Sequence, residues 1–262
     1  MRVLGGRLKE RHRASARPFI LGELLVVFAL LRVYDYVKSL ESVRLKPALA
    51  NGRDVLLIES DLHIDVERTA NHLVGHHHTI SMLLVWWYQY SHITGTMLVL
   101  ACCYLWFPTL YRPARNALAL TNIVGMAVFV VLPVMPPRLL PHAGFIDSVA
   151  VAGYGPTHGG PVTPAQFAAM PSLHLAWATW VAMVGFAMLK GVRYRELVFI
   201  YPMITTVAVI ATGNHYMLDV VAGVALSSCT LAVCGFLRYV RPDSVAVPVP
   251  AAATVPALEL ES

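Results

Sequence analysis

The chain has 262 residues, of which 57% are hydrophobic and only 13% are charged, and its formal net charge is +5. Soluble domains carry about 25% charged residues, so this composition argues against a soluble enzyme or a disordered chain and predicts an integral membrane protein. The basic residues lie in short clusters beside apolar runs, which is how membrane proteins encode orientation. No nucleic-acid partner is therefore expected.

In chain order, we predict a basic cytoplasmic segment (1–17), a six-helix membrane domain (18–240) and a disordered tail rich in Pro and Ala (241–262). The first apolar run lacks a signal-peptide cleavage site and carries Glu23, Arg32 and Asp35, which should face other helices or the membrane interfaces. A spanning helix needs about 20 apolar residues. The fold class is all-α, a polytopic membrane protein with six transmembrane helices, predicted at 18–37, 91–110, 116–135, 172–189, 194–212 and 216–240.

Segment 48–90 is amphipathic, because apolar residues alternate with acids that include Glu59 and Glu67. It predicts one or two short helices on the outer membrane surface. The same segment contains His72, His76, His77 and His78, but no acids or cysteines follow them at ligand spacing, so no metal site is expected there. Neither a metal nor another cofactor is predicted for the chain.

Lys and Arg cluster before the first span, after the second and fourth spans, and after the sixth span. Since cytoplasmic loops carry this excess, both termini should be cytoplasmic. Segments 38–90, 136–171 and 213–215 should then face the outside of the cell membrane.

Three clusters on that outer side could carry chemistry. Arg138 follows a stiff turn rich in proline; taken alone, it is more typical of an arginine that contacts lipid headgroups. Ser172 can cap the fourth span and His174 lies in its first turn, where anions are favoured; an interfacial histidine is the alternative. His215 and Asp219 are four residues apart and should share one helix face; a buried structural pair is the alternative.

Together, these clusters gather two histidines, one aspartate and one arginine at a single membrane face. Such a concentration of titratable groups favours a functional site. His92, at the top of the second span, could line the same pocket.

The elements Pro-Ser-Leu-His at 171–174 and His-x-x-x-Asp at 215–219 resemble the second and third motifs of the type-2 phosphatidic acid phosphatase superfamily. The Met-Pro-Ser-Leu-His form and the Pro-Pro-Arg element at 136–138 look most like its inositol phosphorylceramide synthase branch. The resemblance covers about residues 80–240. It implies a six-helix membrane core and a lipid phosphotransferase or phosphatase.

The resemblance also implies a role for each matching residue. His215 would be the nucleophile that forms a phosphohistidine, Asp219 would orient it, and His174 would protonate the departing alcohol. Arg138 would bind the phosphoryl oxygens.

The sequence departs from the family pattern at several positions, two of which are basic in the family. Val131 stands where the first motif has lysine, and Ala208 and Val209 stand where the third motif has Ser-Arg. Asn214 and the backbone amides of Ser172 and Leu173 are the candidates to bind phosphate in their place.

Three functions remain open: transfer to a polyol such as inositol, simple lipid-phosphate hydrolysis, and non-catalytic lipid binding. The expected partners are a lipid phosphate substrate, the bilayer and a polyol acceptor, and the sequence predicts no particular oligomeric state.

Overall fold

A computed structural model describes residues 18–40, 44–154 and 167–240. The predicted N-terminal segment 1–17 and tail 241–262 lie outside these ranges. Within them the chain is helical and forms no strand ladder. The α-helices, numbered here in chain order, are α1 (Ile20–Ser39), α2 (Leu45–Asp61), α3 (Glu67–Gly75), α4 (His78–Trp106), α5 (Pro108–Val131), α6 (Ser148–Val151), α7 (Leu173–Met188), α8 (Ile200–Ala211) and α9 (Met217–Val233).

Each of the six predicted apolar segments contains a helix, so the all-α class is confirmed, but several boundaries were wrong, among them the end of the last helix, which is Val233 and not residue 240. The helix predicted at 91–110 is α4, which begins at His78 and ends at Trp106. It ends there because Pro108 lacks an amide hydrogen and starts α5 instead. In the described ranges, only α5 is both long and apolar enough to cross a membrane. Helices α7 and α9 are apolar but shorter.

The first helix is attached to the bundle through one of its predicted charges. A carboxylate oxygen of Glu23 lies 3.1 Å from a guanidinium nitrogen of Arg115, and the other accepts a hydrogen bond from the Tyr111 hydroxyl at 2.9 Å. Arg32 and Asp35 instead form an exposed pair at 3.5 Å. Glu23 therefore faces a neighbouring helix, as expected for a charge within an apolar segment.

The amphipathic segment forms two short helices, α2 and α3, but its acids are not all on a solvated face. Glu59 and Glu67, predicted on the polar side, are completely buried. Their carboxylates accept hydrogen bonds from backbone amides at the start of α9. This bonding, which periodicity cannot reveal, explains why the two acids are inside.

The centre of the bundle is α7, which packs against α4, α5, α8 and α9. At one end, Trp180 packs with Tyr111, Leu231 and Phe236. At the other end, Leu175 packs with Val209 and Tyr88. The three motifs of the sequence meet at this second end.

Helices α7 and α9 cross in close contact at Gly223. A Cβ atom added there would collide with the backbone carbonyl of Ser172 and approach the amide of Ala176. The amide of Ser172 also donates a hydrogen bond to the carbonyl of Asp219 at 3.0 Å. The absence of a side chain at Gly223 therefore sets how closely the second motif approaches the third.

We expect Gly223→Ala to lower the stability of the protein by about 1–3 kcal/mol, because backbone atoms must shift to accommodate the methyl group. Thermal unfolding in detergent measures the effect. Gly22→Ala is the matched control, since nothing lies within 4 Å of a Cβ added at Gly22 in helix α1, and it should be neutral or slightly stabilising. Equal unfolding temperatures for the two variants would contradict this account.

Candidate active site

His215 lies immediately before the N-cap of α9, not on the helix as predicted, yet it still meets Asp219. Its Nδ1 is 2.9 Å from the carbonyl oxygen of Ala169 and 3.3 Å from Oδ2 of Asp219. Both oxygens are acceptors, so Nδ1 carries the hydrogen. In the neutral ring, Nε2 then keeps its lone pair, which is the requirement for a nucleophile.

His174 faces that lone pair. Its Nδ1 is 3.4 Å from Nε2 of His215. Its ring stacks on Tyr88, with centroids 4.4 Å apart, and meets the edge of His92 at the same separation. The two histidines of the motifs are thus adjacent, and His92 lies directly behind His174, as the sequence suggested.

Arg138 is held next to the turn that carries His215. Its Nε donates to Oδ1 of Asn214 at 2.9 Å, and its backbone amide donates to the carbonyl of Gly213 at 2.9 Å. Its Nη1 is 3.0 Å from both carboxylate oxygens of Asp147. Nη2 has no partner recorded among the described residues.

Two of the predicted phosphate contacts need correction. The amide of Ser172 already donates to Asp219, and the Ser172 hydroxyl caps α7 by accepting from the amide of Leu175 at 3.4 Å. The capping role of Ser172 is confirmed, but its amide is occupied. The Asn214 side chain accepts from Arg138 and donates to Thr212 at 2.7 Å, and Asn214 is only 3% exposed. Asn214 therefore positions Arg138.

The residues that depart from the family pattern lie in two different environments. Ala208 and Val209 are completely buried, and Val209 packs in the cluster that contains Tyr88. Val131, at the end of α5, is 83% exposed. Among the residues that the structure describes, Arg138 is the basic side chain bonded to the third motif.

Three buried carboxylates bind the first backbone amides of α9. Asp219 Oδ2 accepts from Tyr216 at 2.9 Å, Glu67 from Met217 at 2.8 Å and Glu59 from Leu218 at 2.6 Å. Burial is the main reason that the pKa of the Glu59 carboxyl rises to about 9, and the neighbouring acidic side chain of Glu67 raises it further.

Asp147, Glu59, Glu67 and the carbonyl of Ala169 were missed by the sequence analysis. Each acts through a contact between distant segments, and a single Asp or Glu in an amphipathic stretch gives no signal of such a contact. His92 was noticed because it lies at the end of an apolar run. In the described ranges, no group of three His, Cys, Asp or Glu side chains has the arrangement of a metal site.

A family model described as "PAP2 superfamily" matches residues 53–233. The chain belongs to the PAP2 superfamily. It is therefore a PAP2-like enzyme of the lipid phosphatase and phosphotransferase class, and members of this family are typically membrane proteins. No curated protein and no solved structure matches the chain.

We expect Glu59→Gln to reduce the dependence of stability on pH. The raised pKa means that the folded protein keeps this proton while the unfolded chain loses it, so the contribution is present below about pH 4.5 and is lost progressively as pH rises to about 9. Glutamine does not titrate and keeps the acceptor for Leu218. The variant should match the wild type near pH 5 and unfold at a higher temperature near pH 9.

Thermal unfolding in detergent from pH 5 to pH 9 measures the difference. Glu196→Gln is the control, because the Glu196 side chain is 69% exposed. Parallel stability curves for the wild type and Glu59→Gln would show that Glu59 is not protonated in the folded state.

Proposed function

We propose that this PAP2-like enzyme cleaves a lipid phosphate ester or phosphodiester through a phosphohistidine on His215. The observation that carries the proposal is the orientation of the His215 ring. Its Nδ1 hydrogen is committed to Ala169 and Asp219, so the lone pair of Nε2 is directed towards His174. Arg138 is bonded to Gly213 and Asn214 in the turn that leads to His215.

In the first half-reaction, Nε2 of His215 attacks phosphorus and the bond from phosphorus to the leaving alcohol breaks. The alcohol oxygen takes a proton from protonated His174, and the carboxylate of Asp219 stabilises the positive charge that develops on the His215 ring. In the second half-reaction, an acceptor oxygen attacks phosphorus and returns a proton to His174. The bond between nitrogen and phosphorus then breaks and His215 is neutral again.

Positive groups must stabilise the phosphoryl oxygens during both steps. Arg138 supplies the full charge. The amide of Leu173, at the start of α7, has no acceptor four residues earlier in its own helix, and the partial positive charge at this helix end favours an anion. Of the groups that the sequence analysis expected to bind phosphate, these two remain available, whereas the Ser172 amide and the Asn214 side chain are bonded elsewhere.

The location we propose is the outer face of the cell membrane, with both termini cytoplasmic. The site is assembled from the segments that follow the third predicted span, precede the fourth predicted span and join the fifth to the sixth. The surface supports a lipid environment, because α1 exposes large apolar side chains along its length, such as Leu21, Leu25, Phe28 and Leu31. Contiguous apolar surface of this kind is rare on soluble monomers.

The resemblance of the motifs favours transfer of the phosphoryl head to a polyol such as inositol. Hydrolysis shares the first half-reaction, with water as the acceptor in the second. A non-catalytic lipid-binding protein is disfavoured because His174, His215 and Asp219 are adjacent in the structure.

We expect His215→Asn to abolish turnover, because it removes the ring nitrogen that attacks phosphorus in the proposed mechanism. The unfolding temperature should change little. The measurement is release or transfer of label from a radiolabelled lipid phosphate by purified protein. His63→Asn is the control: His63 is exposed and its positive φ of 59° suits asparagine. Full activity of His215→Asn would refute the mechanism.

We expect a new labelled polyol phosphate or phosphodiester when inositol is added to the same assay. A panel of lipid phosphates and phosphodiesters, with and without the polyol, separates the two reactions. Release of free phosphate without a polyol, and no new product with it, would establish hydrolysis and contradict transfer.

A further inference from the structure

Asp147 is bound to the basic residue of the candidate site. Both of its carboxylate oxygens lie 3.0 Å from Nη1 of Arg138. The Arg138 side chain is 6% exposed and the Asp147 side chain 29%, so the pair is largely shielded from water. Charge pairs that are shielded in this way are screened much less than surface pairs. The positive charge offered to a phosphate by Arg138 is therefore already partly balanced.

The position of Asp147 is fixed by several contacts. Its Oδ1 accepts a hydrogen bond from the amide of Ala150 and so caps α6. The preceding residue, Ile146, is bonded through both its amide and its carbonyl to the side chain of Asn71, at 2.7 and 3.1 Å. Asn71 is completely buried and also donates to the carbonyl of Ala211 at 3.0 Å. The loop with Asp147 is thus attached to the segment that leads to His215.

The charge balance of the site bears on the charge of its substrate. Arg138 is bonded to the third motif through Asn214 and Gly213, whereas two basic positions of the family pattern are occupied by Val131 and Val209. A phosphomonoester carries close to two negative charges at neutral pH, and its dianion requires more positive charge than a phosphodiester, which carries one.

We propose that Asp147 is a specificity-determining residue that makes the site prefer a monoanionic phosphodiester to a dianionic phosphomonoester. The inference rests on the proposed function and names the substrate class of that same site. Asp147 acts through its charge, which repels the second negative charge of a monoester. Arginine between two anions holds them roughly 7 Å apart, and at that distance one unit charge alters relative affinity by about tenfold or more.

A purely orienting role for Asp147 predicts a different result. If the carboxylate only held the Arg138 guanidinium in place, its loss would weaken both substrate classes to a similar extent. If its charge selects the substrate, its loss changes the ratio between them.

The test uses the full chain in detergent at pH 8, with a lipid phosphomonoester and the methyl phosphodiester of the same lipid. We expect the wild type to have the higher kcat/KM for the diester. Asp147→Asn should shift the ratio towards the monoester by about tenfold or more, and Asp147→Glu, which keeps the charge, should restore it. Asp61→Asn, which removes an exposed acid from the end of α2, should leave the ratio unchanged.

An unchanged ratio in Asp147→Asn, or a wild type that prefers the monoester, would overturn the proposal. If Asp147→Asn does not fold, Asp147→Ser takes its place, because serine also removes the charge and still caps α6. Binding is measured separately with a non-hydrolysable lipid phosphonate and its monomethyl ester. The wild type should bind the monomethyl ester more tightly than the phosphonate. Failure to bind either compound would refute the proposed preference for a phosphodiester. Turnover by His215→Asn would refute only the phosphohistidine mechanism.

Discussion

The backbone amides of Tyr216, Met217 and Leu218 point into the interior of the protein at the start of α9, where water does not satisfy them. The first amides of any helix lack partners within the helix, and leaving one buried without a partner costs about 1–3 kcal/mol. Here each amide is bonded to a carboxylate, and two of these carboxylates come from α2 and α3. The short helices are therefore part of the support of His215, the residue just before this helix.

This arrangement explains how so many acids are accommodated in an apolar chain. The partial positive charge at the start of α9 favours negative groups, but three neighbouring carboxylates cannot all be ionised without strong repulsion. Protonation of Glu59, whose pKa is raised to about 9, relieves part of that repulsion, and the hydrogen on Nδ1 of His215 stabilises Asp219. On the other side of the turn, Arg138 is balanced by Asp147.

The sequence was sufficient to predict the parts of the structure that depend on local pattern. Apolar length predicted the six main helices, and the resemblance of the motifs led to the superfamily, which the family model confirms; the inositol phosphorylceramide synthase branch stays a prediction. The capping role of Ser172 followed from its position before an apolar run. The boundary at Phe107 was missed because Pro108 starts a new helix within a continuous apolar stretch.

What could not be predicted depends on contacts between segments far apart in the chain. Glu59 and Leu218 are 159 residues apart, and Asn71 and Ala211 are 140 apart. A pattern of alternating apolar and charged residues suggests that an acid faces water, since pattern contains no information about an unsatisfied amide elsewhere. The same reason explains why Asn214, expected to contact phosphate, instead holds Arg138.

The direct contact of His174 with His215 has a consequence for how the site opens. At 3.4 Å between the two nitrogens, a phosphorus atom with its oxygens does not fit between the rings. Entry of the headgroup must separate them, and Tyr88, stacked on His174, must move with it or lose its contact. In the proposed mechanism, the free energy for this separation comes from binding the rest of the lipid, so the length of the lipid's hydrocarbon chain should govern the rate of the chemical step as well as affinity. Small soluble phosphates lack that binding energy, so His174 would block their access to Nε2 of His215.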